Sequence, residues 1–202
     1  MKMLSRVGRA LKATRQEGFT LVELLLVMGI ISALVVFGTP FVRSLLIEGR
    51  VDPTAKDIIN ISNTIRTTMG VGASGSATPY SVITSSNAAS TLASIAQGRA
   101  SALSVTGTGA SRTTLHQLGA TSGNTVVLAP HTLTAAGDSF SLTVSAVNRA
   151  ACPNLATQLA RAAETITING TVVKPAGGTY NGATAQSVCT DNDTNAFVFV
   201  FR

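Results

Sequence analysis

Residues 18–42 read GFTLVELLLVMGIISALVVFGTPFV. From Leu24 to Val42 there are 19 residues without a charge. As a helix rising 1.5 Å per residue, this run spans about 28 Å, close to the hydrocarbon thickness of a bilayer. The core helix of a soluble domain is the alternative, but such helices are seldom apolar on every face for five turns. One residue interrupts the apolar character upstream. Glu23 sits between Phe19-Thr20-Leu21-Val22 and Leu24-Leu25-Leu26. A carboxylate at membrane depth is costly, so it is either paired and functional or it snorkels to the headgroups.

Working outward toward the N-terminus, residues 1–18 carry Lys2, Arg6, Arg9, Lys12 and Arg15 against Glu17. The positive-inside rule keeps this flank cytoplasmic and sends the C-terminal part across the membrane. An ordinary secretory signal ends its apolar core at a small-residue cut site. Here the basic region ends at Glu17-Gly18, the apolar run follows directly, and no such site succeeds it. The chain has 202 residues and a net charge of +6, and most of that charge lies in this leader. The other 184 residues hold ten basic and eight acidic side chains, so the simplest electrostatic case for binding a polyanion is lost. Charged residues are only 12% of the chain and hydrophobic ones 45%, which excludes a disordered polyampholyte and a coiled coil along the whole length.

Working toward the C-terminus, Pro40 removes one helical hydrogen bond and kinks or opens the helix, with Gly38 weakening the same turn. A second helical stretch runs to about Met69. Ile47, Val51, Ala55, Ile58, Ile59, Ser62, Ile65 and Met69 recur at three- and four-residue spacing, with Arg50, Lys56, Asp57, Asn60, Asn63 and Arg66 on the other side. The rod therefore turns amphipathic and packs on a head domain. Asp52-Pro53 suits an N-cap followed by the first helical position, so a break or bend is expected there. Gly70 and Gly72 end the helix. Ser86 or Asn87 caps a further helix through Leu92 and Ile95, ended by Gly98, and residues 99–125 read mostly as loop.

Strand patterns then take over. Thr125–Ala129 is a short apolar run, and Ser139–Ala146 alternates polar and apolar residues as a half-buried strand does. Pro153–Ala163 reads as a helix. Thr165–Ile168 and Thr171–Val173 flank Asn169-Gly170, a strong hairpin signal. The final strand is Ala196–Phe201, with Phe197, Phe199 and Phe201 on one face and Val198 and Val200 on the other. The whole is an α+β arrangement: a long N-terminal helix, transmembrane and then amphipathic, packed on an antiparallel β-sheet head. The two cysteines, Cys152 and Cys189, fall on the oxidising side of the membrane, where a disulfide persists; two free thiols are the alternative.

The basic leader, the GFTLVELL string from Gly18 and the apolar helix resemble the class III signal of type IV prepilins. The resemblance implies cleavage between Gly18 and Phe19 by a prepilin peptidase on the cytoplasmic side and N-methylation of the new terminus at Phe19. Glu23 stands fifth after the cut, where the family keeps its glutamate, and Pro40 twenty-second, where type IV pilins usually carry a helix-breaking proline. Ser32 stands where many members carry glycine. The implied organisation is a cleaved leader at 1–18, a membrane and filament-core helix at 19–46, an amphipathic helix at 47–71 and a head at 72–202. Cys152 and Cys189 resemble the pair that bounds the disulfide region of these pilins, here 152–189. Cys152 at a helix start and a mature length of 184 lean to the type IVb branch, and Phe at the cut site leans away from it. The implied partners are copies of the same chain, the prepilin peptidase, inner-membrane assembly machinery and, before assembly, lipid. The implied location is the inner membrane, N-terminus cytoplasmic, and then a surface pilus. An assembly charge pair between Glu23 and the amine of Phe19 follows from the same resemblance.

Enzymatic readings find little in the sequence. His116 and His131 have no second ligand at metal spacing and read as exposed loop histidines. No nucleophile elbow or phosphate loop occurs. Asp191 and Asp193 lack the other ligands of a calcium loop and read as a solvated turn. No cofactor is expected. The rival readings are a type II secretion pseudopilin, a minor pilin, a DNA-binding competence pilin, which needs a basic stripe on its head, and a membrane-tethered periplasmic enzyme.

Overall fold

A computed structural model of the chain describes residues 20–70, 78–119 and 122–202. The leader 1–18 and Phe19 lie outside the described residues. Two compact units are present, Met1–Phe41 and Val42–Arg202. The first helix, α1, runs Leu21–Ile65 and widens into one π-helical turn at Arg66–Gly70. It continues through Asp52 and Pro53, so the expected break at that pair does not occur. The carboxylate of Asp52 instead accepts a hydrogen bond from Gln158.

Within the second unit α1 is one wall of the core. Ile47, Val51, Ala55, Ile58, Ile61 and Ile65 are buried, and Ile59 and Met69 pack beside them. Three polar residues go in with this stripe. Thr54 and Ser62 are fully buried because their hydroxyls donate to the helix's own carbonyls, at Arg50 and Ile59. Asp57, expected on the solvent side, is buried too. Its Oδ2 accepts from the backbone N–H groups of Ser101 (2.8 Å) and Ala102 (2.6 Å), which satisfies the charge at the end of the next helix.

That helix, α2, spans Ala88–Arg99 and buries Leu92, Ala93 and Ala96. Asn87 precedes it and uses its side chain to close the turn before the helix, accepting from Thr84 N–H and donating to Val82 O. Residues 99–125, read as mostly loop, contain two three-residue strands, β1 (Ser104–Thr106) and β2 (Thr113–Leu115). Strands this short leave too little alternation to be seen in a sequence. They join β3 (Thr125–Thr132), β4 (Ala136–Val147), β5 (Thr165–Ile168), β6 (Thr171–Lys174) and β7 (Asn195–Phe201). The seven strands pair antiparallel in the order β1-β2-β3-β4-β7-β5-β6.

The last strand is thus the middle of the sheet's second half, between β4 and β5. Phe140, Leu142 and Val144 of β4 meet Phe201, Phe199 and Phe197 of β7 in direct register, all fully buried. The rings of Phe197 and Phe199 stack at 5.4 Å, those of Phe140 and Phe201 at 5.5 Å, and Tyr80 meets Phe140 edge-on at 4.9 Å. The β5–β6 hairpin turns on Asn169 (φ 49°) and Gly170 (φ 83°), the two left-handed positions a tight hairpin demands. Between β4 and β5 lies α3 (Cys152–Leu159), and between β6 and β7 lies α4 (Gly182–Val188), a helix of small residues that the sequence did not announce.

Candidate functional site

The described residues of the first unit form no core among themselves. Among its residues Leu21 is 74% exposed, Leu34 66% and Phe37 79%, and every other large apolar side chain from Val22 to Phe41 is exposed as well. The most apolar 18-residue window of the helix has a mean hydropathy of 2.6, and none of it is buried. The hydroxyl of Ser32 donates to Met28 O at 2.7 Å, and that of Thr39 to Val35 O. Both are satisfied inside the helix, so the outer surface offers no hydrogen bond where they stand. A side chain added at Gly38 would meet nothing within 4 Å, so the helix is notched there beside Leu34 and Phe41. A long helix whose apolar surface is uncovered on every side demands an apolar environment, whether lipid or other helices.

At the start of this helix the Thr20 hydroxyl accepts from the N–H of Glu23 at 3.2 Å. Thr20 and Glu23 thus take the N-cap and N3 positions of the T-x-x-E capping pattern, which is legible in the sequence. Glu23 is exposed, and its carboxylate has no partner among the described residues. A carboxylate in a first helical turn is also favoured by the helix dipole. Gly18 and Phe19 lie outside the described residues. Pro40 falls inside α1, where its ring nitrogen has no hydrogen to give.

The other predicted residues belong to the head. Cys152 and Cys189 form a disulfide with Cα atoms 6.1 Å apart, joining the start of α3 to the end of α4. The loop beyond Cys189 is held by Asn195, fully buried at the start of β7. Its amide donates to the carbonyls of Val147, Thr190 and Asn192, and its oxygen accepts from Thr190 N–H and from Asn169 Nδ2. Asn169 also donates to Val188 O and accepts from Ala196 N–H. The turn residue is therefore a staple between the hairpin and the disulfide loop. Asp193, read as part of a solvated turn, is only 19% exposed at its side chain, paired with Arg43 at 2.5 Å and bonded by Asn148. Asp191 is 79% exposed and pairs with Arg149. No group of three or more potential metal ligands occurs among the described residues.

Two further titratable groups are buried in the head. Asp138, in β4, accepts from the N–H groups of Leu133, Thr134 and Ala135 and from the Thr134 hydroxyl. These donors hold its carboxyl far below the ordinary carboxylate range. His116 overturns the expectation of an exposed loop histidine: it is fully buried. Its Nδ1 accepts from Leu118 N–H at 3.1 Å, which leaves Nε2 as the protonated nitrogen, 2.7 Å from Ser145 O. Burial pulls its pKa down, and the Ser145 carbonyl partly opposes that. His131 lies half-buried on β3 rather than in a loop.

Comparison with known proteins agrees with this anatomy at both ends. Residues 13–39 match the prokaryotic N-terminal methylation motif, and residues 118–202 match the family described as PilS N terminal. No curated protein matches the chain. Among solved structures, the crystal structure of the type IVb pilin from Salmonella typhi is similar over 73% of this chain and 97% of its own, with 24% identity and a TM-score of 0.53. The crystal structure of TcpA, a type IV pilin from Vibrio cholerae El Tor biotype, is similar over 76% of this chain and 99% of its own, with 15% identity and a TM-score of 0.52. Residues 13–39 thus carry a prokaryotic N-terminal methylation motif, residues 118–202 match the PilS N-terminal family, and the fold is that of solved type IV pilins.

Proposed function

We propose that the chain is made as a prepilin, inserted in the inner membrane with its N-terminus cytoplasmic, cut between Gly18 and Phe19, methylated at Phe19 and polymerised into a surface filament. In this reading 1–18 is the leader, 19–46 the membrane and filament-core helix, 47–71 the segment that carries the head, and 72–202 the exposed head. The observation that carries it is the uncovered apolar helix from Leu21 to Leu46, beside a head whose own core is complete without it. Before assembly lipid covers that helix; after assembly the same helix of other copies does. Pro40 lets it open or bend as it changes surroundings. The role is structural rather than catalytic, and the partners are the prepilin peptidase, the assembly machinery and other copies. Adhesion, aggregation, motility and DNA transfer are the uses such a filament serves. The Cys152–Cys189 bridge favours a pilin over a type II secretion pseudopilin, whose family more often carries a calcium loop in that region.

Electron microscopy of surface filaments from cells with and without the gene tests the reading. Filaments lost on deletion support it; filaments unchanged with protein secretion lost support the pseudopilin instead. N-terminal and intact-mass analysis of purified filaments should give Phe19 with one added methyl group. A terminus at Met1, or one after Ser32, contradicts the processing.

A further inference from the structure

The sheet contains one irregularity that a buried histidine explains. The register of β4 against β7 shifts between Val144 and Val147, so Ser145 and Ala146 bulge from the strand. Ala146 sits at φ 60°, a left-handed conformation that an alanine adopts only when its surroundings impose it. Three contacts impose it here, all from residues 116–119. The His116 ring takes the Ser145 carbonyl. Gly119 bridges to Val147 and approaches so closely that a Cβ there would stand 2.0 Å from Ala146 O. The carbonyl of Leu118 accepts from Asn148 N–H at 2.8 Å. His116 organises its own segment as well, since its ring accepts from Leu118 N–H, its backbone N–H donates to Asn124 O and its carbonyl accepts from Asn124 Nδ2.

We propose that His116 is a proton-operated latch: its neutral ring ties residues 116–119 to the bulge of β4, and protonation releases them. The chemistry leaves the ring no neutral alternative. Nδ1 faces an N–H donor, so a proton on Nδ1 breaks that bond and sets two donors against each other, and the resulting cation is fully buried. The charged groups around it do not supply compensation. From the 189–195 loop Asp193 reaches this region only through Asn148, and it is already paired with Arg43 of α1; Asp191 is paired with Arg149. β4 offers Asp138 near its far end, engaged with backbone N–H groups and 3.9 Å from Arg202, and β3 offers only His131. Leu118, fully buried in the closed form, is the side chain that release would expose.

The latch has a quantitative signature. Once residues 116–119 are free, the histidine titrates at its ordinary value of 6.5, while the closed form holds the neutral ring. Opening then grows by up to about tenfold per pH unit below that value, to a ceiling of about thirtyfold at pH 5.0 relative to pH 8. Carboxylates titrate lower and do not contribute in this window. The test is amide hydrogen exchange by NMR on the full-length protein in detergent micelles, with intrinsic rates corrected for pH. The amides of Leu118 and Asn148 should exchange tenfold or more faster from opening at pH 5.0 than at pH 8, while Leu155, in α3 and bonded to Ala151 O, stays unchanged. In His116→Gln, whose amide can still donate to Ser145 O but does not titrate, the rise should vanish; in His131→Gln it should persist. A rise below threefold, a rise shared by Leu155, or one that His131→Gln abolishes overturns the latch. Since the last two comparisons need no substitution at position 116, a misfolded His116→Gln leaves the test decisive.

Discussion

Leu34 and Leu142 are the same residue type in the same chain, one 66% exposed and the other fully buried. The difference separates the two units. In Val42–Arg202 an apolar side chain is a contact made: α1, α2, α3 and the sheet cover one another, and Thr54, Asp57, Ser62, His116 and Asn195 enter this core with hydrogen-bond partners, whereas the hydroxyls of Thr114 and Ser139 enter it without one. Over Leu21–Phe41 an apolar side chain is a contact still to be made, since none of the large ones is covered among the described residues. The head's stability is thus written in its own contacts, whereas in the proposed function the helix acquires its meaning from a membrane or from other copies. Substitutions should divide along the same line.

The largest contrast comes from separating the two. A chain beginning at Ile47 keeps every buried residue of the core and should be a soluble, folded monomer with its disulfide intact, while the full chain requires detergent. An unfolded circular dichroism spectrum for the oxidised fragment would break the comparison. Next, Phe199→Ala removes a fully buried ring stacked on Phe197 in the central strand, and should lower the head's unfolding free energy by about 3–5 kcal/mol. Leu34→Ala, on the exposed helix, should leave the same denaturant midpoint unchanged within about 0.5 kcal/mol. Equal effects would mean that the helix is part of the head's fold.

Opening the Cys152–Cys189 bridge frees a loop closed across 37 residues. Its removal by a double Cys→Ser substitution should cost about 4 kcal/mol on the loop-entropy estimate, read by denaturant titration. No change would mean that the bridge does not constrain the unfolded chain. A smaller effect belongs to Asp138. Its pKa is lowered in the folded head from an ordinary value of 3.8. Between the folded and ordinary values the unfolded chain binds the extra proton, so this stabilisation is complete above about pH 4 and is lost as pH falls below it. Asp138→Asn should flatten the acid limb of a stability-against-pH curve, and an unchanged limb would place the acid sensitivity elsewhere.

What was legible in the sequence follows the same division. The helix from Leu21 could be read because its meaning is local: an uncharged run, a glutamate at a fixed place, a proline. In the head, local signals also survived, among them the Asn169-Gly170 turn, the alternation of Ser139–Ala146 and the phenylalanines of Ala196–Phe201. The insertion of β7 between β4 and β5 could not be read, because strand order is set by contacts between residues far apart. β1 and β2 are too short for a period to show. Asp57, Asp138 and His116 look like surface residues in sequence, since the partners that permit their burial are mostly backbone N–H and carbonyl groups, which every residue carries. Thr20 was legible as a cap, since the T-x-x-E pattern with Glu23 is local, whereas a carboxylate beside an apolar run also fits a charge pair.

That leaves Glu23 with two roles to separate. As an N3 residue its loss should cost the helix end no more than about 1 kcal/mol. As half of an assembly charge pair with the amine of Phe19, its loss should prevent copies from taking up a fixed stagger, because one charge is then buried without its partner. The most direct measurement is filament yield from cells in which Glu23→Leu is the sole pilin, with processing at Phe19 and membrane retention confirmed on the same sample. The account predicts a cleaved, membrane-bound subunit with few or no filaments; a normal yield of filaments from the processed variant would contradict it.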